Sequence, residues 1–172
     1  GNIIKESDFY VMNPVDITLE KKVVKNEVGI EDWLHLGFEF DKNQYNLKDV
    51  VRGTVVFKKV SIRLKKMELQ LIRRETIGAG SSAVSDNEII TKYEIMDGGP
   101  IKSKQFIYLD ETIPIKFYIS PYELTPTFLN VNNRFSIQYF LNLVLIDVED
   151  RKYFKQHEII MNRLVKKKLK SE

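Results

Sequence analysis

The stretch that decides the fold is FSIQYFLNLVL, residues 135–145. Every second position of this stretch is apolar, and Ser136 and Asn142 are among the residues between those positions. Alternation with a period of two is typical of a β-strand that has one buried face. The largely charged residues 147–151 then form a turn, and residues 153–163 return as a second strand. The end of the chain is therefore predicted to be an antiparallel β-hairpin.

Similar alternation occurs in the segments before this hairpin, most clearly where residues 34, 36, 38 and 40 are apolar. Further strands are predicted at residues 33–40, 50–60, 67–74, 89–96 and 113–119. Pro114 favours a sheet edge or the beginning of a strand for the last of these, because proline cannot donate a ladder hydrogen bond. Residues 76–87 contain two glycines and three serines and are predicted to form a mobile loop. No segment has a sustained helical period, so the sequence predicts an all-β, immunoglobulin-like sandwich of two antiparallel sheets.

Composition excludes several classes of protein. The chain has 172 residues, of which 30% are charged, and a net charge of +3. This composition lacks the strong basic excess that is typical of a nucleic-acid-binding protein. No apolar run approaches the length of a membrane span. The absence of cysteine excludes disulfides and thiolate metal sites and fits a reducing, intracellular location. The first residues do not form a targeting peptide, and Gly1 without a methionine indicates a fragment of a longer chain.

Motifs that would carry catalysis are missing from the sequence. It has no nucleophile elbow, zinc-protease motif, phosphate-binding loop or dinucleotide fingerprint. The two histidines, His35 and His157, have no metal-ligand spacing beside them and are predicted to be exposed on strands. The sequence therefore predicts a protein that is not an enzyme and that has no cofactor or metal site.

One short stretch, YEIMDGGP at residues 93–100, suggests an interaction surface. The glycines and the proline end a strand there, which leaves Ile95 and Met96 side by side at the mouth of a turn. Neighbouring side chains of a strand point to opposite faces, so at most one of the two can face the same core. The other is either covered by residues 101–111 or exposed for a partner protein. The spacing alone leaves both alternatives open.

Seven blocks of sequence between Val28 and Ile160 resemble, in the same order, the vacuolar protein sorting-associated protein 26 family, the arrestin-fold subunits of retromer. They are VGIEDWLH (28–35), YNLKDV (45–50), MELQLI (67–72), KYEIMDG (92–98), ELTPT (123–127), YFLNLVL (139–145) and DRKYFKQ (150–156). The resemblance implies an arrestin-like β-sandwich, the C-terminal lobe, over residues 28–165. Residues 1–27 would be an N-terminal segment or linker, in which Phe9–Met12 could be a remaining strand of the N-terminal lobe. Residues 166–172 would be a disordered basic tail.

The resemblance also implies a function without catalysis. Retromer is the endosomal coat that retrieves membrane cargo to the Golgi or the plasma membrane, and the family docks on its α-solenoid scaffold subunit. The positions that match the family's docking residues are Ile95 and Met96. The family also binds cargo tail peptides together with a sorting nexin, and the matching aromatic position is Phe154, which could instead be a core residue. The implied location is cytoplasmic and peripheral on endosomal membranes, through these partners.

The sequence departs from the family mainly at residues 102–110, which lengthen a connection that is usually short.

Two other functions remain as alternatives. A different arrestin-type trafficking adaptor would bind receptors or ubiquitin ligases, but the sequence lacks the proline-rich motif PPxY that such proteins often present. A β-sandwich hydrolase would need a pocket with an acid–base pair.

Overall fold

The computed structural model describes residues 23–30, 34–97, 111–132 and 134–163. The predicted strand at residues 9–12, the turn at residues 98–100, the insertion at residues 102–110 and the basic tail lie outside these ranges. No helix within the described ranges is long and apolar enough to cross a membrane.

The described residues form ten strands and one short 3-10 turn at Gly80–Ser82. The strands are β1 Val24–Ile30, β2 Leu34–Phe40, β3 Gln44–Asn46, β4 Val50–Val60, β5 Leu64–Ile77, β6 Val84–Asp97, β7 Glu111–Tyr118, β8 Phe128–Val131, β9 Phe135–Asp147 and β10 Lys152–Asn162.

Two sheets make up the sandwich, which confirms the predicted fold class. The four-stranded sheet has the order β1-β2-β4-β7, and β7 lies at an edge, which is one of the two positions that Pro114 favours. The six-stranded sheet has the order β3-β10-β9-β5-β6, and β8 also pairs with β9. All pairings are antiparallel except the three-residue pairing of β3 with β10, which is parallel. β3 lies in the connection between β2 and β4, both of the four-stranded sheet, and there reaches the edge of the six-stranded sheet.

The core lies between β5 and β9 of one sheet and β2 and β4 of the other. The four apolar residues of β2 that were predicted to face inward are almost completely buried, and so are Met67, Leu69 and Leu71 of β5. On β9 the buried row runs from Ile137 to Leu145 at alternate positions. These residues form one continuous hydrophobic cluster, so the period-two pattern predicted the core face correctly.

The outer face of β9 differs from the prediction. The sequence analysis predicted one buried face for this strand, but Phe140, Asn142 and Val144 on its other face are also buried. The strand lies between two neighbours, so long side chains of adjacent strands cover it; the guanidinium of Arg74, for example, lies 4.4 Å from the centroid of the Phe140 ring. Position within the sheet, which the sequence does not show, decides this burial.

The predicted mobile loop at residues 76–87 is wrong over half of its length. Residues 76–77 end β5 and residues 84–87 begin β6, and the two strands pair up to Ile77 opposite Val84. Only residues 78–83 form the connection, and Gly78 and Gly80 there have the positive φ angles of 96° and 62° that a tight turn requires. Small and polar residues were taken as loop formers, although an exposed hairpin tolerates them.

Three strands were not predicted: β1, β3 and β8. Residues 24–27 of β1 had been assigned to a charged linker, but Lys25 pairs across the strands with Glu39 at 3.6 Å. Glu27 contacts both His35 and Lys58 in the same way. The charged residues of β1 therefore lie on the exposed face of a strand, where opposite charges on neighbouring strands attract each other.

Gly53 provides a test of how closely β4 packs against β2. A Cβ atom there would overlap the backbone oxygen of Glu39 and lie 2.9 Å from Cδ1 of Phe40. We expect Gly53→Ala to lower the free energy of unfolding by about 1–3 kcal/mol, because the backbone must move. Urea denaturation followed by circular dichroism measures this change.

The control is Gly29→Ala in β1, where no atom lies within 4 Å of the added Cβ. Its free energy of unfolding should stay the same or rise by up to about 1 kcal/mol. Equal effects of the two substitutions would contradict the packing described for Gly53.

Candidate protein-interaction site

The strand end that carries Ile95 and Met96 lies at one end of the sandwich. The β4–β5 and β9–β10 turns lie at the same end, because Leu64 at the start of β5 pairs with Asp147 at the end of β9. We call residues 61–66, 94–97 and 146–152 the turn end. Its three segments come from distant parts of the sequence, and the antiparallel register of the six-stranded sheet brings them together.

A β-bulge interrupts β6 at Ile95. Glu94 pairs with Glu68 and Met96 pairs with Met67, so Ile95 is an extra residue with no opposite residue on β5. Bulges re-aim side chains and suspend the regular alternation of a strand. In a regular strand, at most one of the neighbours Ile95 and Met96 could face the core. Because the bulge interrupts the alternation, that restriction does not apply here.

Ile95 is half-buried. Its side chain packs against the hydrophobic core in the same row as Tyr93 and keeps part of its surface exposed. Residues 101–110, which could cover it, lie outside the described ranges. Ile95 is therefore anchored on one side by the core and presents an apolar surface on the other.

Charged side chains join β5 to the end of β6 beside this residue. The ammonium of Lys66 lies 3.3 Å from the Glu68 carboxylate and 3.4 Å from that of Glu94. Glu68 is only 4% exposed. Burial by itself would raise its pKa, but the hydrogen bond from Gln70 at 2.7 Å and the contact with Lys66 outweigh burial and lower it. The carboxylate thus stays ionised, and it reaches β6 through Lys66, which also contacts Glu94, and through Lys92 at 3.9 Å.

The β9–β10 turn is organised by the buried carboxylate of Asp147, which is 1% exposed. It accepts hydrogen bonds from the backbone N–H groups of Glu149 and Arg151, both at 2.9 Å. It also accepts one from the guanidinium of Arg151 at 2.7 Å and one from the hydroxyl of Tyr153 at 3.1 Å. Burial would raise the pKa of Asp147, but these donors outweigh it and lower the pKa. The turn is consequently held in one conformation.

Phe154 is exposed and does not belong to the core. Its side chain is 66% accessible on β10, opposite Val144 of β9. The sequence analysis left a core position and a surface position open for this aromatic residue, and the structure places it on the surface.

The strand that carries Phe154 has an open edge. β3 pairs with β10 only at residues 160–162, where the Ile160 N–H donates to the carbonyl of Asn43 at 2.9 Å. Alternate residues direct their backbone groups to the same edge, so those of Phe154, Gln156 and Glu158 point outward there. Within the described ranges no strand pairs with this part of the edge. A peptide could therefore add to β10 beside Phe154.

The histidines differ in their surroundings. His35 is partly exposed and lies 3.1 Å from the Glu27 carboxylate. His157 was predicted to be exposed but is half-buried, because its partner in the register is the core residue Leu141. Burial lowers its pKa. In residues 23–30, 34–97, 111–132 and 134–163, no three His, Cys, Asp or Glu side chains are grouped to hold a metal ion.

Comparisons with known proteins agree with this architecture. The model of the family "Vacuolar protein sorting-associated protein 26" matches residues 1–150. The sporulation control protein Spo0M from Bacillus subtilis has a similar fold, with a TM-score of 0.54 and 16% identity over 75% of this chain and 49% of that one. The likeness to this structure is consistent with a two-sheet, arrestin-like β-sandwich.

Curated relatives share this family. Vacuolar protein sorting-associated protein 26 of Dictyostelium discoideum is 46% identical over 95% of this chain and 45% of its own length. The Plasmodium falciparum protein of the same name is 48% identical over 95% of this chain and 52% of its length. Human vacuolar protein sorting-associated protein 26B is 45% identical over 95% of this chain and 46% of its own length. The chain belongs to the vacuolar protein sorting-associated protein 26 family and spans about half the length of these relatives.

Asp147→Asn tests the carboxylate that organises the β9–β10 turn. We expect the free energy of unfolding at pH 7 to fall by about 1.5–3 kcal/mol, because charge-assisted hydrogen bonds are lost. The folded-state pKa of Asp147 is lowered, so its stabilisation is present above the unfolded-state pKa and disappears as pH falls through the folded value. The difference between the two proteins should therefore shrink in acid, as urea denaturation at several pH values would show.

Asp150→Asn is the matched control. Asp150 is an exposed residue of the same turn, and its carboxylate contacts Lys65 at 2.9 Å. The substitution should change stability by less than about 1 kcal/mol. A stability difference for Asp147→Asn that is the same at every pH would contradict the role assigned to the carboxylate.

Proposed function

We propose that this chain is the C-terminal lobe of a retromer subunit, a non-catalytic protein that retrieves cargo from endosomes. Membership of the vacuolar protein sorting-associated protein 26 family supports this, since the relatives carry vacuolar protein sorting in their names. The lobe binds the α-solenoid scaffold subunit through Ile95 and Met96 and binds cargo tail peptides together with a sorting nexin. These partners hold it on the cytoplasmic face of the endosomal membrane.

The observation that carries the proposal is the position of Ile95. It occupies a bulge at the end of an edge strand, half of it seated on the core. A partner can cover the remaining apolar surface without disturbing the sandwich. Full burial of two such side chains contributes roughly 1.5–3 kcal/mol each, before the cost of association is subtracted. Such a pair suits a binding hot spot, and neighbouring contacts contribute less.

Ile95→Asp combined with Met96→Asn should abolish the complex with the solenoid subunit. The substitutions place a carboxylate and an amide where the partner needs an apolar surface, and burying them without partners is unfavourable. Isothermal titration calorimetry with the purified solenoid subunit measures the affinity, and circular dichroism checks that the variant is folded. Unchanged binding by a folded variant would remove the proposed docking site.

The proposal for cargo depends on the exposed Phe154 and the open edge of β10. An extended peptide would add to this edge through backbone hydrogen bonds, and an apolar side chain of the peptide would pack against the phenyl ring. Backbone pairing supplies affinity that is independent of sequence, whereas the contact with Phe154 supplies selectivity.

Phe154→Ala should weaken binding of a cargo tail peptide at least tenfold in the presence of the sorting nexin, because the lost contact buries an aromatic ring. Fluorescence polarisation with a labelled peptide measures this loss. Tyr118→Ala, at a similarly exposed aromatic residue on the edge of the other sheet, is the control and should leave peptide affinity unchanged. Equal affinities of the two variants would contradict the proposed cargo site, and Phe154→Ala should still bind the solenoid.

A further inference from the structure

We propose that the open edge of β10 selects extended peptides in which an acidic residue stands directly beside the apolar residue that packs on Phe154, and that Lys155 recognises this acidic residue. The inference rests on the proposed function, because it takes a cargo tail peptide as the occupant of this edge. It adds the chemistry by which the edge distinguishes one apolar tail peptide from another.

Lys155 is an exposed lysine on the inner side of an edge strand. It lies opposite Leu143 of β9, whose side chain is completely buried in the core. Lys155 therefore belongs to the core-facing row of β10, between Tyr153 and His157, yet its own side chain is exposed to solvent. Among the residues that the structure describes, no carboxylate pairs with it. Because β10 has no neighbour at this edge, the Lys155 side chain lies beside the space that an added strand would occupy.

The relative positions of Phe154 and Lys155 determine which peptide residues the edge can recognise. Neighbouring residues of a strand point to opposite faces, so Phe154 lies on the outer face of the sheet and Lys155 on the inner face. A strand added to β10 alternates in the same way, and directly opposite residues of paired strands lie about 5 Å apart. The peptide residue that contacts the Phe154 ring therefore has an immediate neighbour beside Lys155, which precedes it in an antiparallel peptide and follows it in a parallel one.

The charges along the open edge favour an acidic residue at that neighbouring position. Lys152, on the same face as Phe154, is also exposed and has no carboxylate partner in the described part of the chain. The acidic residue of β10 is Glu158, whose carboxylate already accepts a hydrogen bond from Gln138 at 3.0 Å. Residues 152–157 therefore carry two positive charges and no negative one, and an acidic peptide is complementary to them.

An inward-pointing lysine on an edge strand also acts against unwanted strands. Proteins place such lysines at sheet edges because pairing with another strand would bury the charge without a partner. An acidic residue on the incoming strand removes this cost, whereas a lysine or arginine at the same position adds like-charge repulsion. Backbone pairing and the Phe154 ring thus provide affinity, and Lys155 provides discrimination by charge.

Three fluorescently labelled peptides test the inference by polarisation, in the presence of the sorting nexin. Each is a short chain of serine and threonine around one leucine, and the leucine has glutamate, glutamine or lysine on both sides, so that one of the two lies beside Lys155 in either strand direction. The glutamate peptide should bind about threefold more tightly than the glutamine peptide and about tenfold more tightly than the lysine peptide, as expected for an exposed charge pair and its like-charged counterpart. These differences should shrink at about 0.5 M salt, which screens exposed charges.

Substitutions of Lys155 assign the preference to this residue. Lys155→Met removes the charge and keeps most of the side-chain length, so the three peptides should bind within about twofold of one another. Lys155→Glu should reverse their order. Lys116→Glu is the matched control: Lys116 is an exposed lysine of the edge strand β7, and its ammonium lies 5.3 Å from the ring centroid of the exposed Tyr118. This control should keep the glutamate preference, and circular dichroism checks that every variant is folded.

Equal affinities of the three peptides for the unsubstituted chain would overturn the inference. A glutamate preference that survives in folded Lys155→Met would also overturn it, because another group would then recognise the acidic residue. Phe154→Ala separates this failure from failure of the proposed cargo site. If the peptides bind equally and are lost on Phe154→Ala, the cargo site stands and only the role of Lys155 is wrong. If no peptide binds, or if binding does not depend on Phe154, both are wrong.

Discussion

The pairing of β5 with β9 is the constraint on which the rest of the structure depends. It extends from Leu64 opposite Asp147 to Ile77 opposite Phe135, and each strand has a further neighbour on its other side. A one-residue slip would turn every core side chain of either strand toward the outside, so burial of the inner row determines the register strongly. The positions of all three segments at the turn end follow from this register.

A rigid sheet makes the two proposed binding sites possible at different edges. Ile95 lies on β6 and Phe154 on β10, at the two sides of the β9–β5 pair. The β9–β10 turn lies between them and is fastened by a buried carboxylate. Partners bound at the two proposed sites, at Ile95 and at the open edge of β10, would lie on either side of this turn. In this arrangement the lobe acts as a scaffold that sets two partners side by side.

Sequence reasoning predicted the long strands well, because a half-buried strand must alternate. It predicted β4 to the residue and placed β2, β7, β9 and β10 to within a few residues. It failed where other contacts decide the structure. The hairpin at residues 76–87 is rich in small polar residues yet pairs on β5, and β3 forms only because β10 lies beside it. His157 looked exposed because its neighbours are charged, although its register partner lies in the core.

By itself, the sequence determined the all-β class, the core face of each long strand and the family, since these depend on local alternation and on motifs, and it offered Ile95, Met96 and Phe154 as candidate site residues. Tertiary structure decided which strands are central, where β6 bulges and which side chains remain exposed. The bulge at Ile95 arises from the register between β5 and β6, and the exposure of Phe154 from a partner strand that covers only part of β10. Pairing and burial of this kind depend on residues far apart in the chain, which no local pattern contains.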